Sequence, residues 1–205
     1  MNLMLFATLA SIHIAAVMTP GANFLRVTQN ALAYSRRTGL LTVIGTATGS
    51  SLYVFAGVIG FAAVVSQSPT IYQLIRILGA AYFVYLGYQL LVRRPRLEGV
   101  KPSVTQSDLS PAQAYRSGLL TAVANPAAAL YFLSLFTTFI PISSALADKI
   151  FAGLLLVSIT LTWYALVAMT FSSAPVRKLY QRIERLTNRL FGIMWLLLAV
   201  KLLAG

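Results

Sequence analysis

The sequence predicts an all-α membrane protein: six transmembrane helices forming two inverted three-helix repeats, with helices 1 and 4 broken at midplane. Three observations predict it. First, 58% of the residues are hydrophobic and 10% charged, where a soluble domain carries about 25% charged residues. Several apolar runs are long enough for a hydrocarbon core of about 30 Å. Second, two of those runs are interrupted near their middles by similar residues. One holds Thr19-Pro20-Gly21-Ala22-Asn23 and the other Ala124-Asn125-Pro126-Ala127. Third, the basic residues fall almost entirely on alternate connections.

The spans, in order, are about 3–34 (broken), 38–65, 70–92, 112–139 (broken), 149–171 and 187–204. They form one transmembrane transporter domain over 1–205: repeat one at about 1–92, a cytoplasmic linker at 93–111 and repeat two at about 112–205. Met1 to Phe6 contains no Lys or Arg. A cleaved signal peptide has a basic start, so the first segment reads as a retained span. Proline removes an N–H and clashes with the carbonyl four residues back, so Pro20 breaks span one. Gly21 offers the freed backbone dihedrals that other residues avoid. Span two carries Gly45-Thr46-Ala47-Thr48-Gly49-Ser50-Ser51, with small residues at four-residue spacing. That pattern packs helices closely, and its hydroxyls, Ser50 among them, could also meet a ligand. The linker contains Pro95, Pro102 and Pro111. At 175–190, Leu179, Ile183, Leu186 and Leu190 recur at helical spacing between arginines. This reads as an amphipathic stretch on the cytoplasmic leaflet that feeds span six.

The net charge of +12 reflects topology rather than nucleic-acid binding. Odd-numbered connections and their flanks carry 13 basic residues, and the even-numbered ones carry only Lys149. By the positive-inside rule the odd connections are cytoplasmic, so both termini lie outside. Arg76 and Lys201, near the outer ends of spans three and six, can snorkel to the interface.

The halves echo each other. Pro20 and Pro126 are 106 residues apart. Arg76-x-x-Gly79-x-x-Tyr82 in span three matches Arg189-x-x-Gly192-x-x-Trp195 in span six. Three spans per repeat is an odd number, so the repeats must be inverted. Both breaks then fall near the membrane centre, one from each repeat.

A broken helix exposes unpaired N–H groups and a positive dipole end on one side, and carbonyls on the other. Such an end suits a carboxylate, and the carbonyls suit an ammonium group. Backbone of this kind is tolerated in a membrane only where it is buried or lines a wet cavity. The candidate substrate-binding residues are therefore Thr19, Pro20, Gly21, Asn23, Asn125 and Pro126, with Ser50 and Tyr82 from the neighbouring spans. The two asparagines either orient a ligand or satisfy the loosened backbone. His13 is the only imidazole. It sits near the bilayer centre, either as a proton relay or as a residue hydrogen-bonded to a neighbouring helix. Arg26, Gln29 and Asn30 in the second half of span one suggest either a face toward a wet path or a segment that leaves the membrane early.

Some chemistry is excluded. Glu98, Asp108, Asp148 and Glu184 are the only carboxylates, and all four read as lying in connections. A cation path would want a carboxylate within a span, and a metal site would want several ligands. Metal and cofactor are therefore expected to be absent. There is no cysteine, and no paired catalytic set, so an enzyme is not expected.

These residues resemble the lysine-exporter family in its homoserine/threonine-exporter (RhtB-like) branch. Thr19-Pro20-Gly21-Ala22-Asn23 is similar to the family's T-P-G-P-N, with Ala22 in place of the second Pro. Ala33-x-Ser35-x-Arg37-x-Gly39 is similar to A-x-G-x-R-x-G, and Leu78-Gly79-Ala80-x-Tyr82-x-x-Tyr85-Leu86-Gly87 to L-G-A-x-Y-L-x-x-L-G. Asn125-Pro126-Ala127-Ala128 is similar to N-P-K-A, with Ala127 replacing Lys. The resemblance implies a six-span exporter of amino acids or related metabolites in the bacterial inner membrane, driven by the proton-motive force. Relatives that export basic amino acids carry an Asp at the place of Ser50. That difference, with the absence of carboxylates in the spans, points to a neutral amino acid or similar zwitterion. The expected partners are that small molecule and membrane lipids, not nucleic acid, with a homo-oligomer left open. The alternative is a non-transporting membrane scaffold or lipid-interacting protein, which would have no need of two matched breaks.

Overall fold

The computed structural model describes residues 3–61, 69–92, 108–141, 143–171 and 173–204. Every regular element among them is helical. Helix α1 is Leu3–Met18, α2 Ala22–Ala33, α3 Arg36–Ala56, α4 Pro69–Val92, α5 Pro111–Val123, α6 Pro126–Phe139, α7 Leu146–Thr170 and α8 Ala174–Ala204. A π-helical turn at Gly57–Phe61 continues α3. Among the described residues, three helices are long and apolar enough to cross a membrane, or up to five if each bent pair counts as one span. Of the basic residues counted above, Arg93, Arg94, Arg96 and Lys101 lie outside the described residues, as does most of the linker.

The two breaks fall where proline puts them. Helices α1 and α2 meet at 53° across residues 19–21, and α5 and α6 meet at 59° across 124–125. Other boundaries follow capping chemistry. Ser35 caps α3 by accepting from the Thr38 N–H. Asp108 stands at the same end, accepting from Ser35 Oγ (2.7 Å) and Thr38 Oγ1 (3.1 Å), where a negative charge complements the helix dipole. Ser110 and Gln113 form a reciprocal capping box on α5, with Pro111 at its first turn.

Packing uses the small residues. Helices α3 and α5 make the most extensive contact in the molecule, and α4 against α8 comes next. At the first crossing, a side chain on Gly45 would strike the Tyr115 carbonyl, and one on Gly118 the Thr42 carbonyl. One turn on, a Cβ on Gly49 would lie 2.7 Å from Ala122 Cβ. The Gly45-x-x-x-Gly49 face is thus a helix–helix contact. At the second crossing, a Cβ on Gly87 would come within 2.8 Å of the Gly192 carbonyl oxygen.

Two expectations are corrected here. The stretch 175–190 does not lie apart from span six: α8 runs unbroken from Ala174 to Ala204. Its apolar stripe, Leu179, Ile183, Leu186 and Leu190, is exposed, while Tyr180, Glu184 and Asn188 are buried on the other face. In a lipid-facing bundle the apolar face turns outward and polar groups turn to the interior. Glu184 is consequently a fully buried helical residue and not a residue of a connection. Asp148 also lies within a helix, in the first turn of α7. The polar residues of α2 divide: Asn30 is buried, while Arg26 and Gln29 are exposed. Asn30 Nδ2 donates to Thr42 Oγ1 (2.9 Å) and Ser117 Oγ (3.2 Å), and Arg26 Nε to Thr121 Oγ1 (3.2 Å), stapling α2 to α3 and α5.

Two apolar clusters hold the bundle. One centres on Phe6, Leu9, Phe83, Leu135, Leu156 and Trp195. The other centres on Phe24, Val27, Val43, Val167, Phe171 and Tyr180. The outward faces carry exposed Leu52, Phe55, Leu154, Leu197 and Val200, as an acyl-chain environment demands.

Candidate functional site

Both breaks open onto one cavity of about 310 Å³. Thr19, Pro20, Gly21 and Asn23 reach it from the first break, and Asn125, Ala127 and Ala128 from the second. Ser50 of α3, Tyr82 of α4 and His13 of α1 also line it. Of the candidate residues read from sequence, only Pro126 is not among its lining residues. No Asp, Glu, Lys or Arg is among them either. Glu184 is buried on α8, one turn before Asn188, which does line the cavity.

The breaks differ in detail. At the second, Asn125 is the N-cap of α6, and its Oδ1 accepts from the Ala127 N–H (3.1 Å). Pro126 has no N–H to satisfy, and Ala128 N–H donates to the Asn125 carbonyl (3.1 Å). On the α5 side, Tyr53 Oη donates to the Val123 carbonyl (2.5 Å), Asn125 N–H to Ala122 (3.2 Å) and Ala124 N–H to Leu120 (2.9 Å). Asn125 therefore satisfies the loosened backbone, one of the two roles open to it from sequence.

At the first break, α2 begins at Gly21 with no side-chain cap. The first helical bond is Leu25 N–H to the Gly21 carbonyl (3.0 Å), so the N–H groups of Ala22, Asn23 and Phe24 precede the ladder. Asn23 is buried and its Oδ1 has no partner. Gly21 has φ −121° and ψ −170°, an extended conformation open to any residue, and no described residue has positive φ. The dihedral freedom expected of Gly21 is not used. Thr19 Oγ1 donates to the Ala15 carbonyl (2.9 Å), closing the end of α1.

His13 bridges two helices. Its Nδ1 lies 2.8 Å from Tyr131 Oη on α6, and its Nε2 lies 2.9 Å from Thr160 Oγ1 on α7. Thr160 donates its one hydroxyl hydrogen to the Leu156 carbonyl (3.0 Å), so it can only accept from His13. The neutral ring therefore carries its proton on Nε2, and Tyr131 donates to Nδ1.

Sequence reasoning missed several lining groups: Tyr131, Thr160, Tyr164, Gln89, Asn188 and Trp195. Trp195 had a signal. It is the aromatic of the motif shared with Tyr82, and both aromatics line the cavity. Asn188 was hidden inside the stretch read as an interfacial helix. Tyr131 and Thr160 had no local signal, since only the fold brings them to His13.

The family description LysE type translocator matches residues 14–205. The threonine efflux protein of Escherichia coli strain K12 is 32% identical over 196 residues, covering 94% of each chain. That of Salmonella typhi is 32% identical over 198 residues, with the same coverage. The uncharacterized membrane protein YahN of Escherichia coli strain K12 is 29% identical over 195 residues, or 94% of this chain and 86% of that one. No solved structure matches.

Proposed function

The chain belongs to the LysE type translocator family, and on that premise we propose that it exports neutral amino acids or similar small zwitterions through the cavity between its two helix breaks. Its relatives named as threonine efflux proteins support an amino-acid cargo. The observation that carries the reading is a single cavity that receives both breaks and has no charged side chain in its lining. In that setting uncharged backbone and side-chain groups must recognise the ligand's two charges. The uncapped start of α2 offers N–H groups and a positive dipole end to the carboxylate, an interaction worth about 0.3–2 kcal/mol. Polar acceptors such as Asn23, Ser50 and the tyrosine oxygens suit the ammonium group. A substrate with a cationic side chain would add a charge at mid-membrane with no carboxylate in the lining, at a cost of about 2.5 kcal/mol or more.

The finer architecture belongs to the same proposal: six spans, inverted three-helix repeats, both termini outside the bacterial inner membrane, and transport driven by the proton-motive force with His13 as the relay. The contacts of α3 with α7 and of α4 with α8 support an inverted repeat. They are the pairs such a symmetry relates to themselves.

The test is counterflow in liposomes with purified protein and a panel of labelled amino acids. Trans-loaded threonine, homoserine or leucine should accelerate uptake of its labelled form. Exchange of lysine or arginine with none of the neutral amino acids would reject the neutral-substrate reading. No exchange of any amino acid would favour the scaffold alternative.

A further inference from the structure

The bridge from His13 to the cavity has a direction. Thr160 spends its hydrogen on the Leu156 carbonyl and fixes the His13 proton on Nε2. Tyr131 must then point its own hydrogen at Nδ1. Its oxygen keeps a lone pair, and Tyr131 lines the cavity. In this state the site presents an acceptor there, which suits an ammonium group. If a proton reaches Nδ1, the ring donates from both nitrogens. Tyr131 then has to accept from Nδ1–H and turn its hydrogen away from the ring. The cavity wall changes from acceptor to donor, and a positive charge appears behind it. Both changes disfavour an ammonium group.

We propose that Tyr131 is the coupling residue of the transporter: it converts protonation of His13 into release of the substrate's ammonium group. This inference rests on the exporter reading above. The proton ends on Nδ1, Nε2–H stays on Thr160, and Tyr131 remains neutral with its hydroxyl turned. Proton and substrate then exclude one another, which is what an inward proton gradient requires to drive an amino acid outward. The titratable groups around this pair are few. Tyr164 on α7 and Tyr82 and Tyr85 on α4 share the cavity, Glu184 is buried on α8 one turn before the lining Asn188, and among the described residues no Asp, Glu, Lys or Arg lines the cavity itself. A carboxylate in the lining would neutralise the imidazolium and blunt the competition; Glu184, the buried carboxyl of α8, is not one of the lining residues. Stacking holds the geometry. The His13 and Tyr131 rings are 5.7 Å apart, and Trp195 meets Tyr131 edge-on at 5.8 Å.

The test is the KM of full-length protein for labelled threonine in counterflow, with equal pH on both sides, stepped through about pH 5 to 8. A proton that competes with substrate raises KM roughly tenfold for each unit below the pKa of the group it binds, so the wild-type KM should climb as the pH falls. Tyr131→Phe keeps the ring but leaves the imidazolium's Nδ1–H without an acceptor, so His13 stays neutral. Its KM should be raised at neutral pH and change less than about twofold across the range. His13→Gln cannot titrate and should also be flat. Thr160→Ser keeps the acceptor and should restore the wild-type slope, whereas a merely structural bridge would alter yield or maximal rate and leave the slope in place. A wild-type slope in Tyr131→Phe or His13→Gln overturns the proposal. So does a flat wild type that still exchanges threonine, an outcome that leaves the exporter reading standing. A wild type that exchanges no amino acid removes the exporter reading and this inference together.

Discussion

At the second break, between α5 and α6, the groups freed by the bend are met from inside the protein. Tyr53 takes the Val123 carbonyl, Asn125 caps the Ala127 N–H and Pro126 has no hydrogen to offer. At the first, between α1 and α2, there is no side-chain cap, the N–H groups of Ala22, Asn23 and Phe24 precede the helical ladder, and Ala22 and Asn23 line a cavity with no charged side chain in its lining. The two breaks are built from similar residues, Pro-Gly-Ala-Asn and Asn-Pro-Ala. What separates them is the order. An Asn before the Pro sits at the N-cap, where its side chain reaches back to the helix start. An Asn three residues after the Pro lies inside the new helix and cannot do so. Asn23 is left with an unpartnered buried oxygen, which a well-packed protein keeps only for a reason. On the exporter reading proposed above, the first break serves as the ligand pole and the second as a structural bend.

The strongest way to break this comparison is to truncate the two asparagines. Asn23→Ala should lower amino-acid exchange by more than about tenfold, the effect of losing roughly 1.4 kcal/mol of substrate contact, while thermal stability in detergent stays near wild type. Asn125→Ala should instead cost about 1 kcal/mol of stability, as loss of an N-cap does, with a smaller fall in exchange. Asn125→Ser keeps a capping oxygen and should recover most of that stability. Equal loss of exchange in both alanine variants, with unchanged melting, would make the two breaks equivalent after all.

How much of this was legible beforehand follows the same line. Pro20 and Pro126 located both breaks, because proline acts through local sterics that no tertiary contact reverses. The small residues of α3 announced a close crossing for the same reason. The division of labour between Asn23 and Asn125 was also open to sequence, since cap position is a local property, but matching the breaks as a symmetric pair hid it. Glu184 and Asn188 were misread because an amphipathic pattern has one meaning at a membrane surface and the opposite within a bundle. The His13, Tyr131 and Thr160 cluster joins residues 118 and 147 positions apart, and no periodicity reports a contact of that kind.

The hinge at the second break depends on Tyr53 as well as on Asn125. Tyr53→Phe removes the donor to the Val123 carbonyl, an exposed bond, and should cost about 0.5–1.5 kcal/mol. The measurement is thermal melting of the purified protein beside Asn125→Ala. The double variant sharpens the point. Both side chains serve the same bend, so their effects should be non-additive by about 0.5 kcal/mol or more. Strict additivity would mean that the two sides of the break act independently.

An inverted repeat would place the α2 half of the first break and the α6 half of the second toward opposite sides of the membrane. The absence of cysteine makes this testable. Cysteines introduced singly at Ser103 and Ser144 should be distinguished by an impermeant thiol reagent applied to whole cells. Position 144 should be labelled and position 103 spared. The reverse pattern would turn the molecule over and aim the open helix end at the other leaflet.

The smallest expected effect concerns Gly21, which sequence alone made central to the first break. Its φ and ψ lie in the extended region, so an alanine incurs no backbone strain there. A Cβ would meet only the Thr19 carbonyl oxygen, at an ordinary 3.8 Å. Gly21→Ala should therefore change stability by less than about 0.5 kcal/mol, within the range of substitutions that disturb no special feature. It could even stabilise slightly by restricting the unfolded chain. Exchange is the more informative readout, because the new methyl would stand beside the uncapped N–H groups of α2. If the carboxylate docks there, Gly21→Ala should raise KM modestly while the melting temperature stays put. If the variant instead melts early with an unchanged KM, the glycine serves the bend itself, and the first break is a hinge like the second.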